Sequence, residues 1–84
     1  MITVRIVTPQ GLYKETESSI INVVTSGGEL GILPNHLPLA AILKPSRLKL
    51  IEKGDRKEYQ IAGGMIYFKR NQATILTSSV DHIS

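Results

Sequence analysis

Gly28-Glu29-Leu30-Gly31-Ile32-Leu33-Pro34-Asn35-His36-Leu37-Pro38-Leu39 places strand-forming residues among glycines and prolines that fix the backbone. Gly28 and Gly31 permit positive φ or the close approach of a second backbone. Pro34 and Pro38 each hold φ near about −65° and remove a donor. Two prolines four apart exclude a helix, so an extended run must turn here and continue outside a regular ladder. Such a segment specifies a shape more than a reaction.

Outward from this stretch, β-branched residues are dense and charges alternate instead of recurring at helical spacing. The pattern predicts strands near residues 3–8, 11–14, 19–26, 30–33, 39–43, 47–52, 57–62, 65–69 and 73–78. Turn signals separate them: Pro9-Gln10-Gly11, Gly27-Gly28, Lys53-Gly54-Asp55, Gly63-Gly64 and Asn71-Gln72. In Arg47-Leu48-Lys49-Leu50-Ile51-Glu52, Leu48 and Leu50 alternate with Arg47, Lys49 and Ile51, giving one buried and one mostly wet face. The expected architecture is an all-β, antiparallel, two-sheet β-sandwich of about nine or ten short strands.

The chain has 84 residues, enough for one domain with a modest core. It contains no cysteine, so neither disulfides nor thiolate metal sites supplement that core. Met1-Ile2-Thr3-Val4-Arg5 lacks the basic and long apolar regions of a secretory signal, and the uncharged run from Leu30 to Leu43 is broken by Asn35, His36 and two prolines. A domain without direct membrane insertion is expected. Net charge is +3, concentrated in residues 44–84, where eight Lys or Arg face four acids. Solvated lysines on strand faces explain this balance. A small basic β-barrel that binds nucleic acid is the alternative.

The chemistry-bearing residues are sparse. His36 and His82 have no second histidine, cysteine or carboxylate at metal-ligand spacing, and no nucleophile elbow exposes a serine. Neither Gly27-Gly28 nor Gly63-Gly64 leads into the Lys-Ser/Thr and helix of a phosphate-binding loop, so both read as turns or strand corners. Tyr59, Tyr67 and Phe68 lie among Lys57, Lys69 and Arg70, but Tyr67 and Phe68 are adjacent and point to opposite faces, short of a base-stacking platform. No catalytic, metal or cofactor site is expected.

The Gly28–Leu39 string resembles the signature of the epsilon subunit of rotary F-type ATP synthases, specifically its N-terminal β-sandwich domain. The resemblance extends to Val4-Arg5-Ile6-Val7-Thr8-Pro9, to Ile61-Ala62-Gly63-Gly64-Met65 and to Ala73-Thr74-Ile75-Leu76-Thr77, and so covers essentially the whole chain. It implies a noncatalytic rotor component that holds the gamma subunit against the c-subunit ring, at the cytoplasmic face of the inner (plasma) membrane. It further implies that Glu29, Gly31 and His36 form a ring-facing edge and that Thr8, Leu37, Pro38 and Ala41 meet gamma. The family's C-terminal helical hairpin, with the adenine-nucleotide-sensing motif of some members, is expected to be absent from residues 1–84, and with it ATP binding and helix-mediated inhibition.

Overall fold

A computed structural model describes residues 1–84 as ten strands with no helix. In chain order they are β1 (Ile2–Thr8), β2 (Gly11–Ser18), β3 (Ile21–Thr25), β4 (Gly28–Ile32), β5 (Leu39–Leu43), β6 (Ser46–Glu52), β7 (Asp55–Ile61), β8 (Gly64–Lys69), β9 (Gln72–Leu76) and β10 (Val80–His82). No helix is therefore long and apolar enough to cross a membrane.

The strands form one hydrogen-bonded path, β10-β7-β6-β3-β5-β8-β9-β1-β2, with β4 paired to β3 beside it. The path bends at β3. Ile21 and Asn22 pair with β6, whereas Thr25 pairs with Leu43 of β5, so β3 hands the sheet from one half of the sandwich to the other. All pairs are antiparallel except β1 with β9, where the first strand slots in parallel between β2 and β9. The two expected sheets are thus continuous through β3, and the sandwich is nearly a closed barrel.

Alternation explains which residues turn inward. Ile2, Val4 and Ile6 of β1, Leu48 and Leu50 of β6, Ile66 and Phe68 of β8, and Ala73 and Ile75 of β9 are buried, while their neighbours face out. Fifteen such residues make one core, in which Tyr59 and Phe68 are the largest side chains. Two hairpins close on two-residue loops with both φ positive, Lys53-Gly54 and Arg70-Asn71, the pattern of a type I′ turn whose twist matches the strands it joins. The second loop lies one residue earlier than the expected Asn71-Gln72.

Two departures from the expected strands have a common cause. β2 runs on through Glu15-Thr16-Glu17-Ser18, and β10 was not expected at all. The β2 extension is polar on each face and β10 is three residues with one apolar side chain, Val80, so hydrophobic alternation cannot reveal them. In β2 the inward residues Lys14, Thr16 and Ser18 serve the seam where β2 meets β6 and β7. The Ser18 hydroxyl accepts from Ile51 N–H at 2.9 Å. Lys14 Nζ donates to the Tyr59 hydroxyl at 2.7 Å and lies 3.1 Å from Glu52 Oε1, while Tyr59 donates to Glu52 Oε2 at 2.8 Å and Thr16 to Oε1 at 3.0 Å. A bulge between Ile6 and Val7 leaves Tyr13 as the extra residue of β2, edge-on to the Tyr59 ring, and His82 stacks on the ring at 4.9 Å.

This cluster contains the displaced titrations. Burial pushes Glu52 up, but hydrogen bonds from Tyr59, Lys14 and Thr16 outweigh it and hold the carboxyl below the ordinary glutamate range. Lys14 is raised, chiefly by its bond to Tyr59, and Tyr59 is raised, chiefly by burial. Glu52 therefore stabilises the fold above its unfolded-state pKa and loses that contribution as pH falls through the depressed folded one. Lys14 and Tyr59 contribute below their ordinary values and lose it as pH rises through the raised ones.

Glu52→Ala should lower stability by about 1–3 kcal/mol in urea unfolding at neutral pH, because three donors in the seam, Tyr59, Lys14 and Thr16, lose an acceptor. The gap to the parent chain should narrow as pH falls through the depressed folded-state pKa, below which the carboxylate is protonated in both states. Equal midpoints at neutral pH would show that the seam closes without it. Gly64 provides a second test, since its φ is +129° and a Cβ there would collide with the Leu76 carbonyl oxygen across the β8–β9 pair. Gly64→Ala should abolish the cooperative thermal transition seen by circular dichroism. Gly27→Ala, whose Cβ would meet nothing nearer than Thr25 Oγ1 at 3.7 Å, should melt close to the parent chain.

Candidate functional site

The turn that follows β4 is built from the residues that opened the sequence reading. His36 N–H donates to the Leu33 carbonyl at 3.1 Å, with Pro34 at the second position and Asn35 at φ +67° in the third, a type II turn. The His36 ring packs edge-on to Phe68 at 6.0 Å, and its Nδ1–H donates to the Leu37 carbonyl at 2.7 Å, which fixes the tautomer. Leu33 and Leu37 are left exposed, Leu37 by 78%.

A second loop braces this turn. Asn35 N–H donates to Asn71 Oδ1 at 2.6 Å, and Asn71 Nδ2 donates back to Asn35 Oδ1 at 3.0 Å. Asn71 also receives Thr3 N–H on its carbonyl at 2.9 Å. Sequence reading identified Asn71 only as a turn former. Its available signal was an asparagine, able to adopt positive φ, in a two-residue loop.

Glu29 and Gly31 lie on the outer face of β4, opposite Val24 and Asn22 of β3. The absent side chain at Gly31 leaves Asn22 Oδ1 uncovered, within 3.3 Å of where a Cβ would stand. Glu29 belongs to none of the three ion pairs of the chain. It borders a shallow groove of about 370 Å³ lined also by Arg47, Lys49 and Arg56. The groove thus offers a carboxylate outside the chain's ion pairs and an exposed amide oxygen, both hydrogen-bond acceptors, beside three cationic side chains. His36 is held apart from this face, at the base of the turn.

The four remaining candidates do not form one cluster. Thr8 ends β1 beside Gly63, Gly64 and Leu76, at the Leu43 end of β5. Leu37 and Pro38 precede the other end of β5, roughly 15–20 Å away along the strands. Ala41 points toward the core and pairs with buried Ile66, so the outward residues of β5 are Ala40 and Ile42. Of the aromatics, Tyr59 and Phe68 are buried and Tyr67 faces outward, which leaves no stacked row for bases.

Residues 1–82 match the family described as ATP synthase, Delta/Epsilon chain, beta-sandwich domain. The ATP synthase epsilon chain of Lactiplantibacillus plantarum is 40% identical over 83 residues, covering 95% of this chain and 58% of that relative. That of Bacillus thuringiensis is 38% identical over 78 residues, covering 93% and 59%. The chain therefore spans less than two thirds of the length of these relatives. A chain of the Euglena gracilis mitochondrial ATP synthase superposes with a TM-score of 0.89 at 23% identity, over 96% of this chain and 52% of that one. One from the Tetrahymena thermophila mitochondrial ATP synthase, central stalk and c-ring, gives 0.80 at 21%, over 95% and 65%. At such identities the likeness is one of fold.

The asparagine brace has its own test. Asn71→Gly keeps a residue that accepts positive φ but removes both side-chain bonds to Asn35. Hydrogen exchange of the Asn35 amide should accelerate about fivefold, as expected for losing ~1 kcal/mol of net hydrogen bonding, with the β8 and β9 amides unchanged. An unchanged Asn35 rate would show that the turn stands alone.

Proposed function

This chain belongs to the ATP synthase delta/epsilon-chain β-sandwich family, and we propose that it acts as the noncatalytic sandwich of the epsilon subunit in the rotor of an F-type ATP synthase. In this reading it joins the gamma subunit to the c-subunit ring, at the cytoplasmic face of the membrane, and so couples proton translocation to ATP synthesis. The observation that carries the reading is the extent of the match: the family covers residues 1–82, and the relatives at 38–40% identity are epsilon chains.

The work such a part performs is mechanical. It must pass torque between two partners without shearing, which calls for a stiff body with contact surfaces on separate faces. A continuous nine-strand path with β4 paired beside it, a side-chain seam at Glu52 and a cross-braced turn support that role. Glu29 and Gly31 supply the ring-facing surface, with His36 anchoring the turn beside it. Thr8, Leu37 and Pro38 lie at the two ends of the gamma-facing side, and Ala41 sets the strand between them.

Glu29→Lys places a fourth cation beside Arg47, Lys49 and Arg56 on the face assigned to the ring. Complexes reconstituted with it should hydrolyse ATP normally while ATP-driven proton pumping falls by roughly twofold or more, in keeping with loss of an exposed ionic contact of ~0.5 kcal/mol. Unchanged pumping would remove Glu29 from the ring contact. Failure of the parent chain to enter the complex would remove the rotor reading altogether.

A further inference from the structure

The strand path has two ends, β2 and β10, and they do not pair with each other. Tyr59 of β7 touches both. Tyr13 of β2 meets its ring edge-on at 6.4 Å, and His82 of β10 stacks on it at 4.9 Å with the ring planes 23° apart. At the far end of the same side chain, the hydroxyl donates to Glu52 and accepts from Lys14 of β2. One residue therefore meets β10 with its ring and β2 with its hydroxyl.

Each strand end has little else to hold it. Three residues of β10 pair with β7, and beyond them Ile83 N–H donates to the Glu58 carbonyl at 2.8 Å while Glu58 N–H donates to that of Ser84 at 2.7 Å. So short an edge strand opens readily unless side chains anchor it. Val80 packs against the core and Asp81 is exposed, which leaves His82 as the second anchor. Its stack follows from the register: His82 stands directly opposite Tyr59, so both project to the same face, and a slip of one residue would bring Asp81 or Ile83 there instead. β2, for its part, has no ladder with β6 or β7. Ser19 N–H donates to the Ile51 carbonyl at 3.2 Å, Ile51 N–H donates to the Ser18 hydroxyl at 2.9 Å, and the rest of the closure is Lys14 and Thr16 on Glu52 and Tyr59.

We propose that Tyr59 links the two strand ends, so that docking of β10 on β7 and closure of β2 on β6 and β7 favour one another. With His82 in place the ring is covered and its hydroxyl is kept aligned between Lys14 and Glu52. When β10 lifts, the ring gains water and freedom to tilt, and the seam loses that alignment. When Glu52 stops accepting, the ring loses the bond that sets its tilt, and the stack with His82 loosens in turn. Thermodynamic linkage makes the two effects equal in free energy. A pull or a partner that lifts residues 80–84 from β7 is thereby felt at β2, with which β10 shares no register. The inference does not rest on the rotor reading, and its failure would leave that reading as it stands.

The test is residue-resolved hydrogen exchange of the native chain at neutral pH. The amides of Ile83 and Glu58 report the docking of β10, those of Ser19 and Ile51 report the seam, and those of β8 and β9 report opening of the whole domain. His82→Ala should accelerate the first pair about fivefold, as for the loss of an aromatic contact, and the second pair about twofold or more through the link. Glu52→Gln should act in the opposite order, first on the seam and then on β10. His82→Phe, which keeps a stacking ring, should restore parent rates at both. In a Tyr59→Phe background, where the ring remains and the hydroxyl is gone, His82→Ala should accelerate Ile83 and Glu58 alone. Acceleration confined to the substituted side in the parent background overturns the link. So does equal acceleration of the β8 and β9 amides, because the variants would then act through global unfolding. Should Glu52→Gln fail to fold, the variants at exposed His82 decide the matter by themselves.

Discussion

Glu52 is where the two halves of the sandwich are held together by side chains after their backbones have ceased to pair. Glu52 is 8% exposed, and both of its carboxylate oxygens are occupied by donors from β2 and β7. A buried carboxylate without those partners would be strongly disfavoured, so strand positions, rotamers and charges must be satisfied together. Tyr59 belongs both to this seam and to the core, and its ring carries Tyr13 and His82 on the outside. Closing the barrel there frees the other faces to remain open to partners.

Stiffness at the far end has a different origin. Asn35, Arg70 and Asn71 hold positive φ, a conformation that costs most side chains roughly 1 kcal/mol or more. The two-residue β8–β9 loop demands it, and the reciprocal Asn35–Asn71 bonds join that loop to the proline turn. Two loops far apart in sequence thus behave as one rigid corner, with Leu33 and Leu37 projecting from it.

Most of this fold can be read from alternation. Leu48 and Leu50, Ile66 and Phe68, and Ala73 and Ile75 declare their inward side, and the Gly and Pro signals bracket the hairpins within a residue or so. What alternation misses is polar pairing. Glu15-Thr16-Glu17-Ser18 carries no apolar side chain, although its threonine and serine point inward to serve Glu52 and Ile51. β10 is three residues long and exists through its register with β7. The candidate surfaces were legible only in part for a related reason. Ala41 and Ile42 are equally apolar in the sequence, and only the pairing of Ala41 with Ile66 shows which one meets solvent. Ile42, Met65, Leu76, Val7 and Leu12 stand opposite one another on five different strands, so no window of sequence contains that row.

The parallel slot occupied by β1 governs the order in which the domain can be made. Among these strands β1 is translated first and can pair early with β2, but its other neighbour, β9, follows only after the seven intervening strands. Until then the edge of β1 that β9 will cover stays open, with Ile2, Val4 and Ile6 lacking half of their enclosure. Completion of the sheet therefore waits for β9, and until that strand is made the domain carries an open, sticky edge on β1.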